Sequence, residues 1–197
     1  MPGPVMQVVP IFINFLATET LRVDNAKLEK YCYALRQSSA GRVVSNGGGW
    51  QSNNIDLAAP ELQELLAAIT DKLNELHRYF NFSATMRQIV SEGWFNINKK
   101  GDFNYSHNHP GSFLSCCYYV NGGQNKGNIE FTTPIEAHGY SISDNMVGEY
   151  NAFTGHALSI PPVTGQLLIF PPWLMHKVRQ SESDEDRISI ALNSKIV

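Results

Sequence analysis

Two histidines two residues apart, His107 and His109, lie in SHNHPGSFLSCCYYVNGG (106–123), just before a strongly apolar run. On an extended chain, residues i and i+2 face the same way. The pair could therefore aim two imidazoles at one point, which is how a β-rich fold begins a metal site. Alone, a His-X-His pair is more often an ordinary surface or structural arrangement than a ligand pair. A third imidazole, His176, opens a later strand-like run in GQLLIFPPWLMHKVRQ. The segment RISIALN (187–193) follows it and alternates cleanly, with Ile188, Ile190 and Leu192 on one face and Arg187, Ser189, Ala191 and Asn193 on the other. If the aliphatic face packs under helices, Arg187 and Ser189 point into the interior of a curled sheet. A guanidinium there requires an anion. Either a carboxylate of the neighbouring SESDED run supplies it (Asp184, Glu185 or Asp186) or a ligand does.

The elements that must position these residues divide the chain in two. In the first half, 24–37 (DNAKLEKYCYALRQ) starts at a capping Asp24 and places Leu28, Tyr31, Cys32 and Leu35 at helical spacing. The segment 61–80 follows Pro60 and carries an apolar stripe of Leu62, Leu65, Leu66, Ile69, Leu73, Leu76 and Phe80. His77, near its end, reads as a solvated histidine favoured by the helix dipole. Between the helices, SNGGGWQSNNID (45–56) lacks the Gly-Lys-Ser/Thr of a phosphate loop and reads as a turn leading into Trp50. From residue 85 onward the pattern is one of short strands, near 85–98, 112–120, 128–132, 156–160, 165–170, 176–180 and 187–194. Two helices followed by such strands predict a mostly β, α+β fold, with helices packed on one face of a β-sandwich or jelly roll. One domain over 1–197 is expected, with 1–84 supporting a β core over 85–197.

WFNINKKGDFNYSHNHPGSFLSCCYYV, GNIEFTTP, GQLLIFPPWLMHKV and RISIALN, in that order over about 90–194, resemble the iron(II)- and 2-oxoglutarate-dependent dioxygenase superfamily. GGWQSNNIDL extends the likeness upstream. The pattern is similar to a bacterial and phage branch of unassigned substrate with prolyl-hydroxylase-like features. The resemblance implies a double-stranded β-helix (a cupin-like jelly roll) with helices on its major sheet, and Fe(II), 2-oxoglutarate and O2 as reagents. It places His107 and His176 on metal-ligand positions, Arg187 and Ser189 on the distal carboxylate of 2-oxoglutarate, and Tyr119 on the same carboxylate. Where the family has an acidic ligand, this sequence has His109, so the resemblance implies a site of His107, His109 and His176. A second alignment makes His109 the first ligand and leaves Gly111 in the acid position; a ligand from elsewhere, Glu130 or Asp102, is the other alternative. Trp50, Asn96, Asn98 and Asn104, on segments leading into the site, are the candidates for seating substrate. The likeness of CCYYVNGG to prolyl hydroxylases favours a peptidyl or amino-acid substrate.

The totals bound the remaining choices. Apolar residues make up 43% and charged residues 17% of the chain, and the net charge of -3 gives no reason to expect nucleic acid as a partner. No apolar run is long enough to cross a membrane. MPGPVMQVVPIFINFL lacks a basic leader and contains Pro10, so it reads as an early strand and not a signal peptide. Cys32, Cys116 and Cys117 form neither a disulfide framework nor a zinc spacing, which points to a reducing, cytoplasmic setting. His138, His156, Trp94 and Trp173 read as non-catalytic, the two tryptophans as packing residues. Homo-oligomer formation is left open. The rival functions are a cupin-like metal dioxygenase that does not use 2-oxoglutarate and a non-catalytic jelly-roll binding or structural protein.

Overall fold

The structure, a computed structural model, describes residues 14–135 and 141–197. Most of the expected N-terminal strand, and His138, fall outside these residues. The chain runs β1 (Ala17–Thr20), α1 (Asn25–Ser38), β2 (Asn46–Gly47), β3 (Trp50–Gln51), α2 (Gln63–Tyr79), β4 (Gln88–Asn98), β5 (Phe103–His107), β6 (Ser115–Asn121), β7 (Ile129–Thr132), β8 (Ala157–Ile160), β9 (Gln166–Phe170), β10 (His176–Val178) and β11 (Arg187–Ile196). The strands form two antiparallel sheets, ordered β1-β9-β6-β11-β4-β3 and β2-β5-β10-β7-β8. This is the two-sheet jelly roll expected from the strand spacing.

Both helices lie on the outer face of the six-stranded sheet, for the reason their stripes suggested. Asp24 accepts a hydrogen bond from the Lys27 amide at 3.0 Å and so caps α1. Leu28 and Cys32 of α1, and Leu65, Ile69 and Leu73 of α2, are buried against Phe95 and Ile97 of β4, Tyr118 of β6, Ile169 of β9, and Ile188, Ile190 and Leu192 of β11. A second apolar cluster (Cys117, Tyr119, Ile129, Phe131, Leu168, Phe170 and Leu174) fills part of the space between the sheets. The adjacent cysteines therefore face opposite ways, and both are free thiols. Pro60 lies in a turn before α2, which begins only at Gln63.

Two expectations are corrected. His77 is buried, its Nε2 2.9 Å from the Ser83 carbonyl, because the chain leaving α2 folds back over the ring. The glycine-rich stretch passes from one sheet to the other: β2 pairs with β5 while β3 pairs with β4. A Cβ at Gly47 would collide with the Phe103 ring, so this crossing needs a residue without a side chain. The extended chain assumed at His107 is strand β5, which the expected strand-like runs near 85–98 and 112–120 leave out.

Because Ile69 is fully buried under the central strands, Ile69→Ala is expected to lose about 2–5 kcal/mol of stability. Urea denaturation of the variant checks this, with an unchanged slope.

Candidate metal and cosubstrate site

A cavity opens between the sheets, lined among others by Ser45, Trp94, Asn96, Asn104, His107, His109, Cys117, His176, Arg187, Ser189 and Ala191. Strand β11 supplies its floor by simple alternation, Arg187, Ser189 and Ala191 turning inward while Ile188, Ile190 and Leu192 face the helices. Strand β4, paired alongside, does the same with Trp94 and Asn96.

The opposite wall holds the histidines. His176 on β10 stands opposite His107 on β5, and Val178 stands opposite Asn104. Two steps along β10 thus match three along β5, so β5 carries a one-residue bulge. The bulge is what lets both Asn104 and His107 line the cavity, since strict alternation would turn one of them out. His109 follows the end of β5, its amide held by the Pro172 carbonyl at 2.8 Å. The His107 and His176 rings lie 4.4 Å apart between centroids, and His109 Nε2 is 3.2 Å from His176 Nε2. One ligand atom from each of the three residues lies within 4.8 Å of the others.

These rings suit a divalent metal. His107 Nδ1 is 2.8 Å from the Tyr105 carbonyl and His176 Nδ1 is 2.9 Å from the Leu174 carbonyl. A carbonyl only accepts, so each Nδ1 carries the proton and each Nε2 offers its lone pair to the cavity. Two nitrogens bound at about 2.0–2.2 Å and roughly 90–100° apart on one ion would stand about 3 Å from each other, close to the separation seen for His109 and His176. Burial lowers the basicity of all three rings, to about 4 at His109 and about 3 at His176, with the neighbouring His107 adding to both effects. They are neutral near pH 7, the form that binds metal.

Among the described residues no carboxylate joins them. Glu130 neighbours the inward-facing Phe131 on β7 and so turns to the outer face, where it pairs with Lys177 at 2.7 Å and with Arg179. Asp102 accepts from the Lys99 amide at 2.7 Å in the β4–β5 turn. Gly111 lies in a turn with φ of 89°. The structure brings His107, not that glycine, to His109 and His176.

At the other end of the cavity Arg187 is 1% exposed. Its Nη1 donates to Asn98 Oδ1 at 3.3 Å and to Ser189 Oγ at 3.2 Å, and its guanidinium lies 5.0 Å from the Tyr119 ring centre. Arg187 Nε and the Tyr119 hydroxyl are buried without hydrogen-bond partners. The neighbouring acids are engaged elsewhere, Asp184 with Lys100 at 2.9 Å, Glu185 with Lys126 at 2.9 Å, and Asp186 with Tyr33 at 2.8 Å and Arg36 at 3.9 Å. Among the described residues no ion pair neutralises Arg187. A buried cation with an unused donor, beside an orphaned hydroxyl, is a seat for a carboxylate.

Of the residues expected to seat substrate, Asn96 and Asn104 line the cavity. Asn98 instead lies behind Arg187, linking it to Asn104 through a 3.4 Å hydrogen bond. Trp50 is turned into the helix-facing core, its indole donating to the Ser39 carbonyl at 3.1 Å. Trp94 is the opposite case: it lines the cavity beside His109, ring centres 5.6 Å apart. Its two-residue offset from Asn96 on β4 was the signal for it. Trp173 is exposed and donates to Asn14, and His156 packs beside Tyr150.

The architecture is that of the double-stranded β-helix class of oxygenases. The family model described as "Putative 2OG-Fe(II) oxygenase" matches residues 92–193, more than half of the chain, and the chain belongs to that family of oxidoreductases. Its reagents are Fe(II), 2-oxoglutarate and O2. A prolyl-4-hydroxylase from Pseudomonas putida is similar in structure at 15% identity, with 91% of each chain covered and a TM-score of 0.62. A viral collagen prolyl hydroxylase from Paramecium Bursaria Chlorella virus-1, in complex with 2-oxoglutarate, is similar at 9% identity over 91% of this chain and 94% of that one, TM-score 0.60. HygX from Streptomyces hygroscopicus, with nickel and 2-oxoglutarate bound, is similar at 13% identity over 91% and 82%, TM-score 0.58. A search of the curated proteins gave no sequence match. No helix of the described residues is long and apolar enough to cross a membrane.

One divalent ion per chain is expected by calorimetry, and adding metal to 100-fold above its Kd should stabilise the protein by about 2.7 kcal/mol. His107→Ala removes one of the three imidazoles that meet in the cavity. Metal uptake should then fall at least tenfold while the variant still unfolds cooperatively; unchanged uptake would show that His107 is dispensable.

Proposed function

We propose that the protein hydroxylates a C–H bond of an amino-acid or peptide substrate. His107, His109 and His176 hold the iron, and Arg187, Ser189 and Tyr119 hold the far carboxylate of 2-oxoglutarate. The observation that carries this reading is Arg187, a buried guanidinium without a counter-ion among the described residues, at the end of the cavity away from the three histidines. Iron and 2-oxoglutarate, when bound, supply the oxygen-dependent oxidation that side chains alone cannot perform.

The protein's share is binding and placement. The planar fork of Arg187 takes a carboxylate through two parallel hydrogen bonds. Ser189 and Asn98 fix the guanidinium from one side. The Tyr119 hydroxyl, without any other partner, donates to the same carboxylate. The backbone carbonyls of Tyr105 and Leu174 hold the His107 and His176 rings. Trp94, Asn96 and Asn104 form the wall against which a substrate lies, with water excluded as it enters. Three neutral imidazoles contribute no charge against a divalent ion, so the dianionic cosubstrate does the neutralising that a carboxylate ligand would otherwise do.

Anaerobic titration of 2-oxoglutarate into the Fe(II)-loaded protein should give a saturable charge-transfer band in the visible. Arg187→Ala should weaken the apparent affinity by about 2–3 kcal/mol, roughly 30- to 150-fold, and Tyr119→Phe by about tenfold or less. Bound iron with no band would favour a dioxygenase that does not use 2-oxoglutarate; absence of iron binding would favour a binding protein. Arg187→Met should leave the metal-free protein at least as stable as before, since no ion pair is broken. A loss of about 3–5 kcal/mol there would mean that Arg187 is structurally paired after all.

A further inference from the structure

A second arginine lies near the cavity and the reading above gives it no role. Arg42 pairs with Gln51 outside β3, and the ladder continues from Gln51 to Asn96 on β4, to Ser189 on β11 and to Tyr119 on β6. Residues opposite one another in antiparallel strands share a face. Arg42 therefore stands at the outer end of the same row whose inner end is the Arg187 pocket. Its guanidinium carbon lies 5.3 Å from the centre of the Trp94 ring, and Trp94 packs in turn against His109.

This cation has no anion. No ion pair among the described residues includes Arg42. Its Nε is buried without a hydrogen-bond partner, and so is Oε1 of the neighbouring Gln51. The side chain is nevertheless only half-buried, so the guanidinium is within reach of a ligand. Its backbone is also held in place. Gly41, just before it, has φ of 75°, and a Cβ there would stand 2.6 Å from the Trp50 indole nitrogen. The Arg42 amide donates to the Gln51 carbonyl at 2.8 Å.

We propose that Arg42, stacked on Trp94, binds a carboxylate of the substrate, and that the substrate is therefore an amino acid or the C-terminal residue of a peptide. This rests on the oxygenase reading of the same cavity. Stacking covers one face of the guanidinium and leaves its edge, the part that matches a planar carboxylate. A carboxylate held there places the rest of the molecule along Trp94, toward His109. A phosphate fits less well, because Glu92 lies two residues from Trp94 on the same face of β4 and its charge reaches His109. One cation beside one acid favours a singly charged group over a doubly charged one.

The test uses the full chain loaded with Zn(II), which has no redox chemistry, and 2-oxoglutarate. Calorimetry then compares N-acetyl-L-amino acids with their primary amides. At least one carboxylate is expected to bind about tenfold or more tightly than its amide. Arg42→Gln should bring the pair within about threefold, and Arg42→Lys should restore part of the difference. The proposal is overturned if no carboxylate is preferred, or if the preference survives in Arg42→Gln. It also falls if Arg42→Gln loses 2-oxoglutarate binding together with the probe, since Arg42 would then be a prop for the cavity wall. Failure of the wild type to bind 2-oxoglutarate would sink the oxygenase reading instead, while the carboxylate preference could still be read on the zinc-loaded protein.

Discussion

A guanidinium buried without a counter-ion among the described residues is the constraint around which the cavity is arranged. Removing Arg187 from water costs several kcal/mol, and hydrogen bonds to Asn98 and Ser189 recover part of that. The acids nearest in sequence are all committed to other cations or to a tyrosine. Those same pairs pin the loop that leads into β11, and with it the position of Arg187. Lys126, itself buried, bonds the Asp186 carbonyl and Asn121 as well as Glu185. The fold thus holds the arginine in place while leaving its charge unspent.

The metal end has the complementary property. Three imidazoles with lowered basicity supply lone pairs and no negative charge. A divalent ion there and a guanidinium at the other end make the cavity strongly positive once metal is present. A small dianion with one carboxylate for each end fits this charge distribution, and a neutral ligand does not. In the proposed site, His109 in place of a carboxylate ligand would trade intrinsic affinity for the metal against attraction for the anion. The two bindings are expected to be mutually supportive for that reason.

The parts of this arrangement that could be read from the sequence are those that depend on one strand or helix at a time. The stripes of α1 and α2 gave both helices, and the alternation in RISIALN separated a helix-facing side from a cavity-facing one. The acid run beside Arg187 could not be excluded as its partner from sequence, because a neighbour in the chain is not a neighbour in space. Trp50 and Trp94 exchanged roles for a similar reason. β3 packs Trp50 toward the helices, whereas Trp94 shares the cavity side of β4 with Asn96. His77 was misread because the segment after α2 folds over it, a tertiary contact that no helical pattern contains.

Strand β5 was the larger omission. NKKGDFNYSHNH shows no apolar alternation, since its inward positions, Asn104 and His107, hold polar groups. Hydrophobic alternation cannot reveal a strand whose inner face is a reaction chamber. Its bulge is further hidden, because a bulge is a mismatch in count between two strands and has no meaning within one. The same holds for β6, where Val120 is the extra residue between Tyr119, opposite Ser189, and Asn121, opposite Ile188. One mismatch lets His107 face His176. The other lies directly beside Tyr119. Both occur where a side chain must depart from the regular pleat to meet its partners across the cavity. The site was therefore visible as a set of residue types, while its geometry depended on two register changes that only pairing could create.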